Sequence, residues 1–277
     1  MLSSQQLEEI KKLQSICAEA DSIKLKLNWE LLENRESGEV NDFFHYENGE
    51  LVGFLGLYGF GNKIELCGMV HPNHRRKGIF SQLFRKAITE VLMRNYREIL
   101  FNAPASSSSA KAFLKSVPCE YASCEYQMKW EDILLTVDDD VAVRMAQPDD
   151  LEAEIQLDVQ CFGFNEEEAR IYNERIKNEG SQAFYMIEWK HQTVGKIRLF
   201  RHNGEAWIFG FSVFPDYQGK GIGRKALQQI ILKEKNAGFT IFLEVEAKNT
   251  HALKLYESCG FHVFQAQDYY RYLNDES

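Results

Sequence analysis

"VFPDYQGKGIGRKAL", Val213 to Leu227, sets three glycines and four charged side chains between two apolar runs, and "VHPNHRRKGIFSQLF", Val70 to Phe84, nearly repeats it. The spacing extends well beyond the two stretches. Pro72 and Pro215, Gly78 and Gly221, and Tyr126 and Tyr269 each stand 143 residues apart. A strand-like run precedes each proline, "KIELCGMV" or "AWIFGFSV", and an amphipathic helical pattern follows each turn, "IFSQLFRKAITEVLMRN" or "IGRKALQQIILKEKNAG". Then come a second strand ("EILFNA", "TIFLEVEA"), a short helix, and a last strand ("CEYQMKW", "QDYYRYL"). A fixed offset over so many elements reads as a tandem duplication of one α/β unit.

The expected fold is therefore α/β, in two tandem domains, 1–135 and 136–277. The junction falls at residues 131–140, where "DDD" is a solvated break. Beyond it "VAVRMA" starts a strand and Pro148-Asp149-Asp150 opens a helix. A chain of 277 residues suits two domains of ordinary size. Its start, "MLSSQQLEEIKKLQSI", reads as a capped amphipathic helix, with no apolar signal core. No apolar run approaches the roughly 18 residues of a membrane span. The expected location is the cytoplasm.

A net charge of −9 argues against nucleic-acid binding, which needs a basic face to displace counterions from phosphates. The six cysteines form no C-x-x-C pair and no zinc spacing, and His71 and His74 lack the further ligands of a metal shell. They read as free thiols of a reducing compartment, with no metal.

In "QGKGIGRKAL" the glycines Gly219, Gly221 and Gly223 permit positive φ and close approach of a ligand to the backbone. The helix that opens there presents unpaired N–H groups and a partial positive charge, a natural seat for a diphosphate. Lys220, Arg224 and Lys225 add local charge. Neither the P-loop spacing nor G-x-G-x-x-G is present, and a glycine run alone is more often an ordinary turn.

The residues downstream decide between these. Gln218-x-x-Gly221-x-Gly223 followed by Asn249-x-x-Ala252-x-x-Leu255-Tyr256-x-x-x-Gly260-Phe261 resembles the GNAT N-acetyltransferases, over Ala206 to Phe261. "LEVEAKN" and "ALKLYESCGF" look especially like the ribosomal-protein alanine N-acetyltransferases, and the two-lobe plan resembles that of mycothiol synthase. The resemblance implies a mixed sheet whose fourth and fifth strands splay apart, with acetyl-CoA threaded between them as co-substrate. Phe211, Ser212 and Val213 would offer backbone groups to the pantetheine and acetyl ends. Gln218, Gly219, Lys220, Gly221, Ile222, Gly223 and Arg224 would hold the pyrophosphate, and Asn249 would face the cofactor where the strands part.

The same resemblance gives Tyr256 the role of general acid toward the departing thiolate. Chemistry agrees, because a phenol with a pKa near 10 stays protonated at neutral pH. Glu244 corresponds to the glutamate taken as base in the alanine acetyltransferases; Glu246 and Glu205 are its rivals. Each of these side chains also has an ordinary reading: a tyrosine packed on a sheet, a solvated strand glutamate. Cys259 reads as packing.

The first copy keeps Arg75-x-x-Gly78 but carries Phe80 where the pattern wants a small residue. Shifted by one residue, the repeat puts Leu114 in the slot of Tyr256, and neither Asn-x-x-Ala nor Gly-Phe survives there. Residues 1–135 are thus expected to be a degenerate, substrate-shaping copy, in which Glu65 reads first as a solvated strand residue and second as one that reaches into a shared cleft, and 136–277 the catalytic one. The expected activity is acetyl transfer to a primary amine of a small molecule or peptide end, with homodimerisation left open. Two rival readings are a non-catalytic acyl-CoA sensor and a tRNA-dependent aminoacyl transferase, the latter disfavoured by the acidic charge.

Overall fold

The structure, a computed structural model, describes residues 1–35, 38–94, 96–135 and 140–273. In chain order the first copy forms α1 (Ser4–Asp21), α2 (Trp29–Glu33), β1 (Asp42–Glu47), β2 (Glu50–Phe60), β3 (Lys63–Val70), α3 (Ile79–Leu92), β4 (Glu98–Pro104), α4 (Ser108–Leu114) and β5 (Cys119–Trp130). The second forms β6 (Val141–Met145), α5 (Leu151–Phe162), α6 (Glu166–Glu179), β7 (Gln182–Trp189), β8 (Gln192–His202), β9 (Glu205–Val213), α7 (Ile222–Asn236), β10 (Thr240–Glu246), α8 (Thr250–Ser258) and β11 (Phe261–Tyr272). The order expected from sequence is present in both copies.

Local chemistry explains the starts. Ser3 caps α1 through a capping box with Gln6, which satisfies two otherwise orphaned N–H groups. Residues 136–139 of the expected junction lie outside the described residues. Just beyond them, Arg144 on β6 grips Asp150 at 2.6 and 2.9 Å, so the strand and the turn that opens α5 are tied together.

Two compact units result: Met1–Glu125 with Gln265–Ser277 (unit 1), and Tyr126–Phe264 (unit 2). This division differs from the expected 1–135 and 136–277, because each copy's last strand is divided between the units, β5 after Glu125 and β11 after Phe264. In unit 1 the strand order is β1-β2-β3-β4-β11, with β11 antiparallel to β4 through Tyr269↔Asn102. In unit 2 it is β5-β10-β9-β8-β7-β6.

In unit 1, α3 packs Ile79, Leu83 and Ala87 against one sheet face with Leu55, Leu57 and Leu66. On the other face α1 buries Ile10, Leu13 and Cys17 with Phe54, Tyr58 and Met69. In unit 2, α7 and α8 bury Ile222, Leu227, Ile230 and Tyr256 with Ile208, Leu243 and Val245. Each of the larger aliphatic and Phe or Met side chains among these contributes about 1.5–3 kcal/mol on leaving water, which fixes the sheet registers on which the site depends.

Candidate active site

In unit 2 the parallel strands β9 and β10 are in register from Glu205↔Thr240 to Ile208↔Leu243, and among the described residues their registered pairing stops there. Strand β9 is also irregular along its other edge. Its register with β8 runs Gly195↔Val213 and Lys196↔Ser212, then slips to Arg198↔Phe209. Gly210 and Phe211 together oppose Ile197, which is a β-bulge, and a bulge bends and twists its strand. Gly210 has φ +52°, and a Cβ there would lie 2.6 Å from Arg198 Nε, so the position requires glycine twice over. The strands part where the resemblance implies they should.

Beyond the splay, Gly219 (φ +72°) and Gly221 (φ +78°) turn the chain into α7. Gly221 is the N-cap and supplies no side-chain cap, so the first N–H groups of α7 keep their full donor capacity. Nothing lies within 4 Å of a Cβ built on either residue. Backbone donors facing open space, beside Lys220 and Arg224, suit an anionic diphosphate. Lys220 Nζ lies over the rings of Tyr217 (5.1 Å) and Trp189 (5.6 Å), whereas Lys225 is engaged with Asp140 at 2.7 Å. Ile222 is buried and anchors the helix start.

Other expected site residues do more local work. Gln218 Nε2 donates to the Val213 carbonyl at 2.8 Å, stapling the turn to the end of β9. Ser212 is buried, and its hydroxyl has no hydrogen-bond partner among the described residues. Asn249 caps α8, its side chain accepting from the Ala252 N–H at 3.1 Å. Gly223 sits where a Cβ would meet Phe211 Cζ at 3.3 Å, so the helix passes close to the bulged strand.

The Tyr256 ring packs 6.3 Å from Phe211 and 6.1 Å from Phe261. Burial pushes its phenol pKa well above the usual range, with the neighbouring Cys259 thiol adding to the rise. Its hydroxyl makes no hydrogen bond among the described residues. Cys259 is fully buried, and burial raises its thiol pKa too, an inert packing position. Glu244 points to the opposite face of β10 from the Leu243 and Val245 core that holds Tyr256. Its Oε1 accepts from Gln127 Nε2 at 2.7 Å. Of its rivals, Glu246 pairs with Lys248 at 2.6 Å and Glu205 accepts from Trp207 Nε1 at 2.8 Å. Sequence reasoning missed Gln127, because the repeat assigns it to the other copy.

Unit 1 repeats the frame. β3 and β4 are in register from Lys63↔Glu98 to Leu66↔Phe101, and Gly78 (φ +81°) caps α3. Arg75 Nε donates to the Val70 carbonyl at 3.0 Å, as Gln218 does to Val213. Even the thiols correspond: Cys17 donates to Val70 O at 3.4 Å and Cys161 to Val213 O at 3.5 Å. The β2–β3 register, however, runs unbroken from Gly53↔Val70 to Phe60↔Lys63, with no bulge. Phe80 lies against Gly68, whose Cβ would meet its ring at 2.8 Å, and packs edge-on to Phe113 at 4.6 Å. Glu65, expected to be solvated, accepts from Asn102 Nδ2 at 3.2 Å.

Comparison with known proteins agrees with both frames. The acetyltransferase (GNAT) family profile matches residues 7–116 and again 151–261. The chain belongs to that family, with two GNAT domains. A [ribosomal protein bS18]-alanine N-acetyltransferase of Escherichia coli is 48% identical over 58 residues, covering 21% of this chain and 39% of that protein. A spermine/spermidine N(1)-acetyltransferase of Bacillus subtilis is 39% identical over 61 residues, covering 21% of this chain and 40% of that one. The matches thus span less than half the length of these relatives. Among solved structures, a GCN5-related N-acetyltransferase from Sphaerobacter thermophilus aligns with TM-score 0.75 at 19% identity, over 95% of this chain and 91% of its own. A tandem GNAT protein from the clavulanic acid biosynthesis pathway aligns with TM-score 0.73 at 12% identity, over 97% and 95%. At such identities the likeness is one of fold. No helix among the described residues is long and apolar enough to cross a membrane, and none of their His, Cys, Asp and Glu side chains forms a group of three or more able to hold a metal ion.

Proposed function

We propose that the protein is an acetyl-CoA-dependent N-acetyltransferase whose chemistry runs in unit 2, on residues of the second copy (136–277), while the first copy (1–135) is degenerate as a catalyst. The observation that carries this reading is the bulge at Gly210–Phe211, absent from unit 1, which sets Phe211 against the Tyr256 ring beside the parted edges of β9 and β10. The donors around it fit the cofactor. Backbone groups of Phe211, Ser212 and Val213 line the parted edge, and the N–H groups from Gly219 to Arg224 meet the diphosphate. Gln218 serves that grip by fixing the turn, and the Asn249 amide nitrogen faces the pantetheine arm.

The acceptor is a primary amine on a small molecule or a peptide end, a class consistent with relatives named for ribosomal-protein alanine and for spermine. Glu244 takes the proton of the ammonium, directly or through one water. The freed amine attacks the thioester carbonyl; the C–N bond forms, the C–S bond breaks, Tyr256 delivers its proton to the thiolate sulfur, and the second proton that the nitrogen sheds as the amide forms returns to the phenolate. The raised phenol pKa keeps that proton in place until sulfur needs it. Acid and base lie on opposite faces of the sheet, so cofactor and acceptor approach the splay from opposite sides. Free thiols throughout suit a cytoplasmic setting.

Thiol release from acetyl-CoA, measured across a panel of amines, aminoglycosides and peptide N-termini, tests the proposal. Amine-dependent release is the expected result. Tight acetyl-CoA binding with no amine accelerating release would mean a sensor rather than an enzyme.

A further inference from the structure

Gln127 lies on β5, in the sequence copy that the duplication separates from the Tyr256 site, yet it belongs to unit 2 and touches Glu244. It is 3% exposed. An ionised carboxylate only accepts hydrogen bonds, so the amide must turn its nitrogen toward Glu244. Its carbonyl oxygen is thereby left buried, with no hydrogen-bond partner among the described residues. A buried acceptor without a partner is costly, and an apolar side chain of the same volume would pack there without that cost. Among the described residues, the polar contact that compensates is the 2.7 Å charge-assisted bond to Glu244.

We infer that Gln127 is a positioning residue for Glu244, so that the last strand of the first copy completes the working site of the second. This rests on the proposal that Glu244 is the base. The exchange of final strands then has a functional consequence: the degenerate copy cannot be dispensed with, because it supplies the clamp on the base.

A double-mutant cycle in the full-length chain tests it, using Gln127→Met, Glu244→Gln and the pair together. Gln127→Met should lower kcat about tenfold, the scale of one hydrogen bond to a charged group. The acceptor KM should change little and acetyl-CoA affinity not at all. The double variant should be no slower than Glu244→Gln alone, because a positioning residue acts only through its client. Gln127→Leu, which also removes the donor but fills the site with a different apolar shape, guards against a packing failure and should lose the same step. Full activity in both Gln127 variants overturns the inference. So does a Gln127→Met loss that multiplies onto a slow Glu244→Gln enzyme, which would leave the base assignment standing. An undiminished Glu244→Gln enzyme instead removes the base itself, and the clamp with it.

Discussion

The two units share a frame and differ at the few places where the chemistry is proposed. Counting from the ends of β3 and β9, Gly68 corresponds to Phe211 and Phe80 to Gly223. Unit 2 puts the large ring on the strand and the small residue on the helix; unit 1 does the reverse. Phe211 stands beside Tyr256, whereas Phe80 turns inward onto Gly68 and Phe113. Strand β9 also has one more residue than β3, and that extra residue is the bulge. Where Gln127 meets Glu244 in unit 2, unit 1 holds Asn102 against Tyr269, which in turn donates to Glu125 at 2.7 Å and accepts from Lys26 at 2.9 Å. The lesson is that a duplicated scaffold keeps its staples (Arg75 and Gln218, Cys17 and Cys161) while one inserted residue and one exchanged pair of side chains distinguish the two copies where the chemistry is proposed.

The largest effect should come from Tyr256→Phe. With no hydrogen bond lost among the described residues, stability and acetyl-CoA affinity should hold while turnover falls at least tenfold, within a range of about 10²–10⁴ for full loss of acid–base help. The mirror change in unit 1, Leu114→Tyr, should leave turnover alone. A Tyr256→Phe enzyme at full speed would erase the distinction between the units. Next comes a matched pair. Gly221→Val and Gly78→Val strain backbones of nearly equal φ with open space around each, so both should lose at least about 1–2 kcal/mol of stability. Only Gly221→Val should abolish acetyl-CoA binding in a calorimetric titration. Equal losses of binding would mean two working sites.

Most of this contrast was legible in the sequence, for reasons visible in particular residues. Gly78 and Gly221 sit at positive φ, which few other residues tolerate, so punctuation alone disclosed both turns. Leu114 in the slot of Tyr256 followed from counting, and the caps Ser107 and Asn249 mark the same one-residue shift. The strand exchange was not legible, because β5 and β11 carry the same pattern and either would satisfy either sheet. Gln127 was hidden for the same reason. The bulge was hidden too: Gly210 in "WIFGFSV" looks like any strand glycine until its partner strand is known.

A buried charge sharpens the comparison in a way that periodicity could not foresee. Registers with Val70 and Val213 align Phe54 of unit 1 with Lys196 of unit 2, and both are fully buried. Lys196 Nζ meets Asp158 at 2.6 Å and the Glu154 carbonyl at 3.0 Å, while Asn173 donates to Asp158 at 2.6 Å. Burial lowers the Lys196 pKa from 10.5 to about 8, against the opposing pull of Asp158. Below about pH 8 the lysine is charged in both folded and unfolded chains, and the burial penalty is present in full. Between about 8 and 10.5 the folded chain has released a proton that the unfolded chain still holds, so stability rises with pH. Relative to a Lys196→Met/Asp158→Leu variant, wild type should gain up to about 3 kcal/mol over that window in denaturant titrations. At neutral pH the apolar variant should be at least as stable, as replacement of a buried ion pair often is. A flat difference across the window would mean that the ion pair stays charged throughout.

The smallest effect separates a cap from a ligand contact. Ser107 and Asn249 both accept from the N–H three residues on, at 3.2 and 3.1 Å, so alanine at either should cost about 1 kcal/mol of stability. Their side chains differ in what remains. The Ser107 hydroxyl also meets Ser109 at 3.2 Å, while the Asn249 amide nitrogen has no hydrogen-bond partner among the described residues. If that nitrogen faces the pantetheine arm, Asn249→Ala should weaken acetyl-CoA binding severalfold, and Ser107→Ala should not change it. Equal thermal losses with unchanged cofactor affinity would reduce Asn249 to the structural role its counterpart plays. The grip on the cofactor would then rest on the backbone of the glycine turn, which is left-handed at both positions in both units; only the residue differs at the first of them, where unit 1 forces Arg76 to φ +64° and unit 2 has Gly219 at φ +72°.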